Sequence, residues 1–338
     1  MKSQRVLLAK RPSGEPDDSC FKFDEAETAA LQNNQVLVKV LYLSLDPYMR
    51  GRMNDGKSYV APLEIGDVMT GESVGVIVES TSDKFKVGDY VTGYTGWQTY
   101  CVFDADEPRL RPVDLNDGSL SAHLGVIGMP GRTAYWGFTE IGKPVAGETL
   151  VVAAASGAVG SVVGQMAKIL GLRAVGVAGG EEKCRYVKEE LGFDDCIDYK
   201  ADGFAEKLAA ACPKGIDIYF ENVGGAVSEA VANLLNPGSR VPICGYVSAY
   251  NAVDPKTTRT PFHIFGEAKN VPEHRFFVVS EWDARWQEAT KQLATWVKEG
   301  KIKFRETMDE GLENTPELLR GLLKGKNFGK QIVKIADE

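Results

Sequence analysis

The sequence predicts an α/β protein with a β-rich first part and a doubly wound parallel sheet in its second part. Three observations predict this class. Residues 1–128 carry short apolar segments separated by turns that contain Gly and Asp. Beyond residue 128, apolar segments alternate with helix-periodic ones. Residues 149–183 read as strand, small-residue turn, helix and strand. The length of 338 residues is typical of two domains.

The first part is predicted to form an antiparallel, barrel-like domain, because short strands joined by tight turns are typical of such domains. Residues 46–61, DPYMRGRMNDGKSYVA, are rich in aromatic residues, Met and Arg. We interpret them as a loop of the kind that lines a pocket. The predicted strands are residues 35–40, residues 73–78, a turn and strand over 86–91, and residues 98–102.

In the second part, the alternation of strands and helices predicts parallel strands joined by helices. Ligands of such a sheet bind beyond the carboxyl ends of its strands. The predicted strands are residues 150–152, 174–177, 196–199, 216–220, 240–245, 275–279 and 330–335. The predicted helices are residues 132–141, a segment that ends at 170, and residues 181–191, 203–211, 226–235, 282–298 and 316–324.

The turn at residues 155–160 has the small residues that a dinucleotide pyrophosphate requires. Phosphate oxygens reach the free N–H groups at a helix start only where no side chain intervenes, and the helix dipole favours their negative charge. Gly157 and Gly160 supply that space, while Ala155 occupies the first glycine position of the G-x-G-x-x-G pattern. The alternative is a tight strand-to-helix turn that binds nothing.

The end of the next strand favours NADP(H) over NAD(H). An NAD site usually carries Asp or Glu there, about 20 residues past the glycines, to hold the ribose 2′-hydroxyl. Gly179 and Gly180 stand there instead, and Lys183 follows at the next helix start. We interpret Glu181 and Glu182 as first-turn residues that favour the helix dipole and point outward. The alternative for Lys183 is a solvated helix lysine.

Residues just after the other predicted strands are further ligand candidates, because parallel strands end at the same edge of a sheet. The alternatives are that Tyr199 is a surface aromatic residue and that Asn222 only caps a turn. The candidates are Tyr199, Asn222, Cys244, Gly245, Tyr246, Val247, Ser248, Ala249 and Tyr250.

Composition argues against several classes of protein. The net charge of −8 argues against nucleic-acid binding. No apolar run approaches the roughly 18 residues of a membrane span, and the N-terminus lacks the apolar core of a secretory signal. The six cysteines are scattered, so we expect reduced thiols and a cytoplasmic location. With three histidines, none near a cysteine pair, we expect no metal site.

Eight motifs along nearly the whole chain are together highly specific. They are LSLDPYMRGRMN, GMPGRTAYWG, AASGAVGSVVGQMAK, EEKCRYVKEELGFD, DYK, YFENVGG, ICGYVSAYN and GKNFGKQIV. Together they resemble the prostaglandin reductase / leukotriene B4 12-hydroxydehydrogenase family, zinc-independent medium-chain dehydrogenases/reductases that include plant and bacterial alkenal and enone reductases. The resemblance implies a homodimer with a GroES-like catalytic domain over residues 1–128, completed by 309–338. It also implies a Rossmann NADP-binding domain over residues 129–308.

The activity that the resemblance implies is NADPH-dependent reduction of the C=C bond of α,β-unsaturated ketones or aldehydes, similar to that of a 15-oxoprostaglandin 13-reductase. Hydride passes to the β-carbon, and negative charge develops on the carbonyl oxygen as an enolate. The expected partner is a small-molecule substrate, with no nucleic acid and no membrane. The alternatives are a quinone or carbonyl oxidoreductase on the same scaffold and a protein that binds NADPH without turnover.

The resemblance also implies roles for residues of the site. Tyr59 and Tyr250 match substrate-side tyrosines, and Tyr94 falls at a third pocket position. Tyr250 and the cofactor ribose hydroxyl are the candidate donors to the enolate oxygen, with Tyr59 supporting the site. Lys183 and Tyr199 match contacts to the 2′-phosphate. The other implied cofactor contacts are Gly157, Ala158, Val159, Gly160, Asn222, Cys244, Gly245, Tyr246, Val247, Ser248, Ala249, Tyr250, Phe276, Phe277, Val278 and Asn327.

Three departures from related sequences stand out. Glu221 in YFENVGG occupies a position where relatives usually have Asp. Residues 261–265 read PFHIF, without the tyrosine that is a candidate proton donor in some relatives. Zinc-dependent cousins have Cys where Asp46 and Pro47 stand and His-Glu where this chain has Gly71 and Glu72, so the metal ligands of those positions are missing or unpaired.

Overall fold

The computed structural model describes residues 1–56, 60–253 and 257–338, which form two compact units. Unit 1 comprises Met1–Gly125, Glu306–Asn327 and Gln331–Glu338. Unit 2 comprises Val126–Arg305 and Phe328–Lys330. The chain thus leaves unit 1, forms unit 2, and returns to unit 1 at its C-terminal end.

The secondary structure mixes strands and helices along the whole chain. The strands are β1 (Lys2–Leu8), β2 (Phe21–Glu27), β3 (Gln35–Ser44), β4 (Ser73–Ser80), β5 (Tyr90–Gly93), β6 (Tyr100–Asp104), β7 (Arg111–Pro112), β8 (Thr149–Ala153), β9 (Arg173–Ala178), β10 (Asp195–Asp198), β11 (Ile216–Phe220), β12 (Leu235–Ile243), β13 (Glu273–Phe276), β14 (Glu306–Glu310) and β15 (Lys330–Lys334). The α-helices are α1 (Tyr48–Arg52), α2 (Met129–Trp136), α3 (Gly160–Ile169), α4 (Glu181–Glu189), α5 (Phe204–Ala211), α6 (Gly225–Ala232), α7 (Pro261–Gly266), α8 (Trp286–Lys298) and α9 (Thr315–Leu323). Short 3₁₀ helices lie at Asp18–Cys20, Ser121–Leu124, Val247–Ala249, Val279–Arg285 and Leu312–Asn314, and a π-helical turn lies at Gly137–Gly142.

The main sheet of unit 1 is built around β3. Its sequence, QVLVKVLYLS, is apolar on both faces, as suits a strand buried on both sides. β3 pairs antiparallel with β4 along one edge and with β6 and β15 along the other. The sheet order is β14-β15-β3-β4-β5-β7, and β1 and β2 form a separate antiparallel hairpin. The structure therefore confirms a β-rich, antiparallel first part.

One prediction for unit 1 needs a correction, because part of the expected pocket loop at residues 46–61 is core. Residues of this segment form α1, in which Met49 is fully buried in a cluster with Trp97. Arg50 is also buried, and its guanidinium donates hydrogen bonds to the Gly14 carbonyl (2.7 and 3.2 Å) and to Oδ1 of Asn54 (2.7 Å). Met49 and Arg50 therefore belong to the core of unit 1 and do not line a pocket.

Unit 2 contains a six-stranded parallel sheet with the order β10-β9-β8-β11-β12-β13. Every residue of β8, TLVVA, is buried, because helices cover both faces of a sheet of this kind. The chain runs from β8 outward to β10, and then from β11 on the other side of β8 outward to β13. The topological switch point therefore lies between β8 and β11, where ligands of open α/β sheets bind.

The structure confirms the predicted α/β class, and it shifts several predicted boundaries. β12 begins at Leu235, which was predicted as the end of a helix, and it continues through Pro237. The predicted helix over residues 282–298 is a 3₁₀ segment up to Arg285 and α-helical only from Trp286. Within the described ranges, no helix is both long and apolar enough to cross a membrane.

Candidate active site

The turn between β8 and α3 brings backbone N–H groups to the switch point. Ala154 follows β8 in the left-handed region at φ +53°, which is uncommon for a residue with a side chain. Its carbonyl accepts a hydrogen bond from the N–H of Gly157 (2.9 Å), which closes the turn. The helix then begins at Gly160, with Ala158 and Val159 between the two glycines.

An added side chain would meet different surroundings at the two glycines of this turn. A Cβ on Gly160 would stand 2.4 Å from the Ala154 carbonyl oxygen and 3.0 Å from that of Ala153, so α3 starts too close to β8 for any side chain. A Cβ on Gly157 would meet Ala154 alone among the described residues, with its oxygen at 3.2 Å and its Cβ at 3.9 Å. A Cβ would find room at Gly157, whose backbone forms a parallel bridge with Gly329, whereas Gly160 serves close helix–strand packing.

The ends of β9 and β10 meet at Gly179. A Cβ there would stand 2.8 Å from a ring carbon of Tyr199, 3.1 Å from the Tyr199 hydroxyl and 3.1 Å from Cε of Lys200. Tyr199 is 43% exposed, but its ring lies against this glycine. The carboxylate of Asp198 accepts hydrogen bonds from the N–H groups of Gly180 and Lys200, both at 2.9 Å, and so fixes the two strand ends to each other.

Lys183, the third residue of α4, is half-buried beside these strand ends. Its Nζ lies 5.9 Å from the centroid of the Phe328 ring. Burial lowers the pKa of Lys183, and the positive charge of Lys200 lowers it further, against the opposing effect of Glu182. Lys183 is therefore only partly exposed to solvent. Glu181 and Glu182 are exposed in the first turn of α4, as predicted.

Glu221, the residue after β11, organises the loops at the switch point. Its side chain is completely buried and accepts hydrogen bonds from the Val223 N–H (2.7 Å), the Gly224 N–H (2.9 Å) and the Tyr219 hydroxyl (3.0 Å). The Ser228 hydroxyl donates to its other oxygen. Burial raises the pKa of Glu221, and these four donors oppose that effect.

The loop that follows β12, residues 244–250, is bonded to the loop that follows β11. The N–H groups of Cys244 and Gly245 donate to the Glu221 carbonyl at 3.0 and 3.3 Å, and the Val247 N–H donates to the Asn222 carbonyl at 3.2 Å. The Asn222 side chain does not cap its own turn, because its amide donates to the Ala153 carbonyl at the end of β8 (2.9 Å). Asn222 thus joins the two strands that flank the switch point.

Tyr250 lies at the end of the 3₁₀ helix Val247–Ala249, and its hydroxyl lies against Gly245, two residues past β12. Its hydroxyl oxygen lies 2.6 Å from where a Cβ of Gly245 would stand. Its ring meets that of Tyr246 edge-on, at 5.9 Å between centroids. The phenol group is therefore held at the carboxyl end of the sheet, beside Ser248 and Ala249 of the same loop.

The remaining predicted cofactor residues of unit 2 end the edge strand β13. Phe276 is its last residue, and the N–H of Phe277 donates to the Ile243 carbonyl (3.2 Å). The Phe277 ring is buried, edge-on to Phe220 at 6.0 Å. Val278 follows without regular strand structure. The Phe277 side chain therefore packs in the core.

Two of the predicted site residues, Tyr94 and Asn327, belong to unit 1. Tyr94 follows β5, and the Arg109 guanidinium lies 5.5 Å from its ring centroid. Asn327 lies in unit 1, just before the segment Phe328–Lys330. Tyr59 lies outside the described residues.

No group of three or more His, Cys, Asp or Glu side chains that could hold a metal ion occurs within residues 1–56, 60–253 and 257–338. Asp46, at a position where zinc-dependent cousins have a ligand, is buried and accepts a hydrogen bond from the Ser44 hydroxyl. The local chemistry there is a carboxylate paired with a hydroxyl.

The six thiols are mostly held in their protonated form. Burial raises the pKa of Cys101 and Cys244 to about 12 and that of Cys212 to about 11. Burial also raises the pKa of Cys20. Cys184 differs, since a hydrogen bond from Cys196 lowers its pKa and correspondingly raises that of Cys196.

Unit 2 fits the expected NADP(H) by two features. The turn at Gly157 leaves the room that a pyrophosphate needs at a helix start. The tip of β9 carries Gly179 in place of an acid, with the lysines Lys183 and Lys200 beside it. A 2′-phosphate is a dianion that such lysines stabilise, whereas an NAD ribose needs a carboxylate there.

Comparison with known proteins places this chain among reductases. Residues 4–110 match the family described as the N-terminal domain of oxidoreductase, and residues 158–295 match the family described as zinc-binding dehydrogenase. NADPH-dependent curcumin reductase from Escherichia coli (strain K12) is 49% identical over 340 residues, which cover 100% of this chain and 98% of that protein. Prostaglandin reductase 1 from Rattus norvegicus is 41% identical over 331 residues, 97% of each chain.

Solved structures agree with these matches. The crystal structure of CurA from Vibrio vulnificus in complex with NADPH has a TM-score of 0.92 and 44% sequence identity to this chain. The alignment covers 99% of this chain and 100% of that chain. The Escherichia coli quinone oxidoreductase complexed with NADPH has a TM-score of 0.78 at 17% identity, a likeness of fold alone.

Proposed function

The chain belongs to the zinc-independent medium-chain dehydrogenase/reductase family that includes NADPH-dependent curcumin reductase and prostaglandin reductase 1, and from this premise we propose that it reduces the C=C bond of α,β-unsaturated ketones and aldehydes with NADPH. The observation that carries the proposal is the edge of the unit 2 sheet. There an open glycine turn, two lysines in place of an acid, and a tyrosine over the end of β12 lie along the carboxyl ends of the strands.

We assign unit 2 as the Rossmann NADP-binding domain and unit 1 as the GroES-like catalytic domain. The proposed pyrophosphate site is the start of α3, where Gly157 leaves the N–H groups accessible. Lys183 and Tyr199 are the proposed contacts to the 2′-phosphate. Further proposed contacts are Asn222, the loop of residues 244–250, the end of β13 at Phe276, Phe277 and Val278, and Asn327.

NADPH, when bound, supplies the hydride for the β-carbon of the substrate. The residues of the chain bind and orient the substrate, and they stabilise the negative charge that develops on its carbonyl oxygen. Tyr250 is the proposed donor to this enolate oxygen, because its hydroxyl is held at the carboxyl end of β12. One preorganised donor of this kind is worth about 3 kcal/mol. Tyr59 and Tyr94 are proposed to shape the substrate side, and water is proposed to protonate the α-carbon.

The proposal extends to the oligomeric state and the cellular location of the protein. By membership of the family, the chain is proposed to act as a homodimer on small-molecule substrates. We propose a cytoplasmic location, because six scattered cysteines without a paired spacing are typical of a reducing compartment.

The experiment that tests the function follows NADPH oxidation at 340 nm. The panel is an alkenal, a cyclic enone, an oxo-fatty acid and a quinone, with an alcohol and NADP⁺ in the reverse direction. We expect turnover of the enones, with products saturated at the C=C bond by mass spectrometry, and no loss of activity after exhaustive chelation. Turnover of the quinone alone would favour the quinone oxidoreductase alternative, and NADPH binding with no turnover would contradict an enzymatic function.

Lys183→Ala is expected to weaken NADPH binding by about 10- to 100-fold and to leave NADH binding nearly unchanged. The reason is that a charged hydrogen bond to phosphate is worth roughly 1.5–3 kcal/mol, and NADH has no 2′-phosphate. Dissociation constants from fluorescence titration measure both. Lys188→Ala is the matched control, since Lys188 lies on the same helix and pairs with Asp195 at 3.0 Å. Equal losses for both cofactors would remove Lys183 from the 2′-phosphate site.

Tyr250→Phe is expected to lower kcat and kcat/KM together, by about 10- to 100-fold. Its hydroxyl would interact more strongly as charge develops on the enolate oxygen, so the loss falls on the transition state. The effect stays moderate because the ribose hydroxyl remains as a second donor. Tyr135→Phe, on α2 against Trp296, is the control for a tyrosine that only packs. An unchanged kcat in an assay limited by hydride transfer would assign Tyr250 to packing, and Tyr250→Ala would then act mainly on KM.

A further inference from the structure

We infer that Lys200 is a second specificity-determining cation for the 2′-phosphate, and that it holds this group together with Lys183. The inference rests on the proposed use of NADPH. Lys200 follows β10, whereas Lys183 lies on α4, so the two ammonium groups come from different elements. Two cations from two elements define a position in space more tightly than one flexible side chain does.

The geometry of the strand ends directs Lys200 across the tip of β9. Its Cε lies 3.1 Å from where a Cβ of Gly179 would stand, so its stem lies along the glycine that replaces the acid of an NAD site. Its backbone is held there, because the Asp198 carboxylate accepts from both the Lys200 and the Gly180 N–H groups at 2.9 Å. Its Nζ lies 5.8 Å from the centroid of the Tyr199 ring.

The two lysines bring positive charge together at this place, where Lys200 also lowers the pKa of the Asp198 carboxyl. Lys200 makes no ion pair with a carboxylate in the part of the chain that the structure describes, although it is close enough to Lys183 to disfavour the charge of that lysine. The Asp198 carboxylate is engaged by backbone N–H groups. Bringing two ammonium groups together is unfavourable unless an anion lies between them. A dianionic 2′-phosphate is such an anion, and a ribose hydroxyl is not.

Gly179 permits this arrangement, since any side chain there would displace the Tyr199 ring or the Lys200 stem. The glycine thus does more than omit an acid. It provides the surface on which a tyrosine and a lysine approach the site. The choice of NADPH over NADH therefore depends on the adjacent ends of the parallel strands β9 and β10, as well as on the first turn of α4.

The test is calorimetric binding of NADP⁺, NAD⁺ and adenosine 2′,5′-bisphosphate to the wild-type protein and to Lys200→Met. We expect about 10-fold weaker binding of NADP⁺ and of the bisphosphate by Lys200→Met, with NAD⁺ binding unchanged. Lys200→Arg should keep most of the affinity. The affinity of the wild-type protein for NADP⁺ should also fall more steeply with ionic strength than that of Lys200→Met.

Lys207→Met is the matched control. Lys207, like Lys200, lowers the pKa of Asp198, but it lies on α5 and is exposed to solvent. Its NADP⁺ affinity should stay at the wild-type value. A wild-type preference for NADP⁺ that survives Lys200→Met undiminished would overturn the assignment of Lys200 alone. A wild-type protein that binds NADP⁺ and NAD⁺ equally would overturn the proposed cofactor as well.

Discussion

Glu221→Ala is expected to lower the free energy of unfolding of unit 2 by about 3–5 kcal/mol. The substitution leaves four donors without their acceptor: the N–H groups of Val223 and Gly224 and the hydroxyls of Tyr219 and Ser228. Each buried donor left unsatisfied costs about 1–3 kcal/mol, and relief of the buried charge offsets part of the total. Denaturant unfolding measured by far-UV circular dichroism gives the change.

Glu221→Gln is the control for this prediction, because the amide oxygen still accepts from the two backbone N–H groups. We expect a loss of about 1–2 kcal/mol at neutral pH. The pH dependence has a defined sign. The folded-state pKa of Glu221 lies above its ordinary value of 4.5, so this group favours the folded state at low pH. That contribution is lost as the pH rises from 4.5 through the folded-state pKa, and it should vanish in Glu221→Gln. A Glu221→Ala protein as stable as wild type would contradict the organising role.

Gly160→Ala is expected to destabilise unit 2 by about 2–3 kcal/mol, as overpacking against backbone does. The new methyl group would stand 2.4 Å from the Ala154 carbonyl oxygen, and a backbone group cannot move aside as a flexible side chain can. The start of α3 would shift away from β8, so NADPH binding should weaken as well. Thermal unfolding without cofactor and titration with NADPH separate the two effects.

Gly157→Ala is the matched variant, because its methyl group would approach the same oxygen only to 3.2 Å. We expect its stability within about 1 kcal/mol of the wild-type value and a loss of NADPH affinity of at least about 10-fold, since the methyl group would stand between the pyrophosphate and the N–H groups. If Gly157→Ala were the less stable of the two variants, the distinction between a packing glycine and a ligand-facing glycine would be wrong.

The sequence predicted the strands at the centre of unit 2 well, because a fully buried parallel strand is a continuous apolar run. β11 has the predicted bounds Ile216–Phe220, and β8 matches to within two residues. β12 was predicted to start at residue 240, but it starts at Leu235, which pairs with Ile216, although Pro237 and Gly238 disfavour a strand interior. The hairpin of β1 and β2 was not predicted, since its charged residues interrupt the apolar alternation.

Residues of the candidate site could be predicted where the residue type alone suggests a role. They could not be predicted where the role depends on contacts with residues distant in the sequence. Gly157 and Lys183 could be singled out because a pyrophosphate site requires a small residue at the helix start and a 2′-phosphate favours a nearby cation. For Gly160 the structure adds a reason that the sequence does not reveal, since a Cβ there would stand 2.4 Å from the Ala154 carbonyl oxygen. Glu221 was noted only as a departure from relatives. A carboxylate directly after the apolar end of a strand, residues 218–220, was the available signal, because a buried charge must be hydrogen-bonded.

Under the proposed function, the protonated state of the thiols limits their reaction with the substrate. α,β-Unsaturated carbonyl compounds are electrophiles that alkylate thiolates, and at pH 7 a thiol with the pKa of Cys101 or Cys244, about 12, is a thiolate only about once in 10⁵. Cys184 has a lowered pKa, but it is only 8% exposed, and its sulfur accepts a hydrogen bond from the Cys196 thiol. Protonated and buried thiols of this kind react slowly with enones, so the protein should resist alkylation of its own cysteines. Intact-mass analysis after prolonged exposure should find it unmodified, with Cys184 the first site to react once unit 2 is loosened.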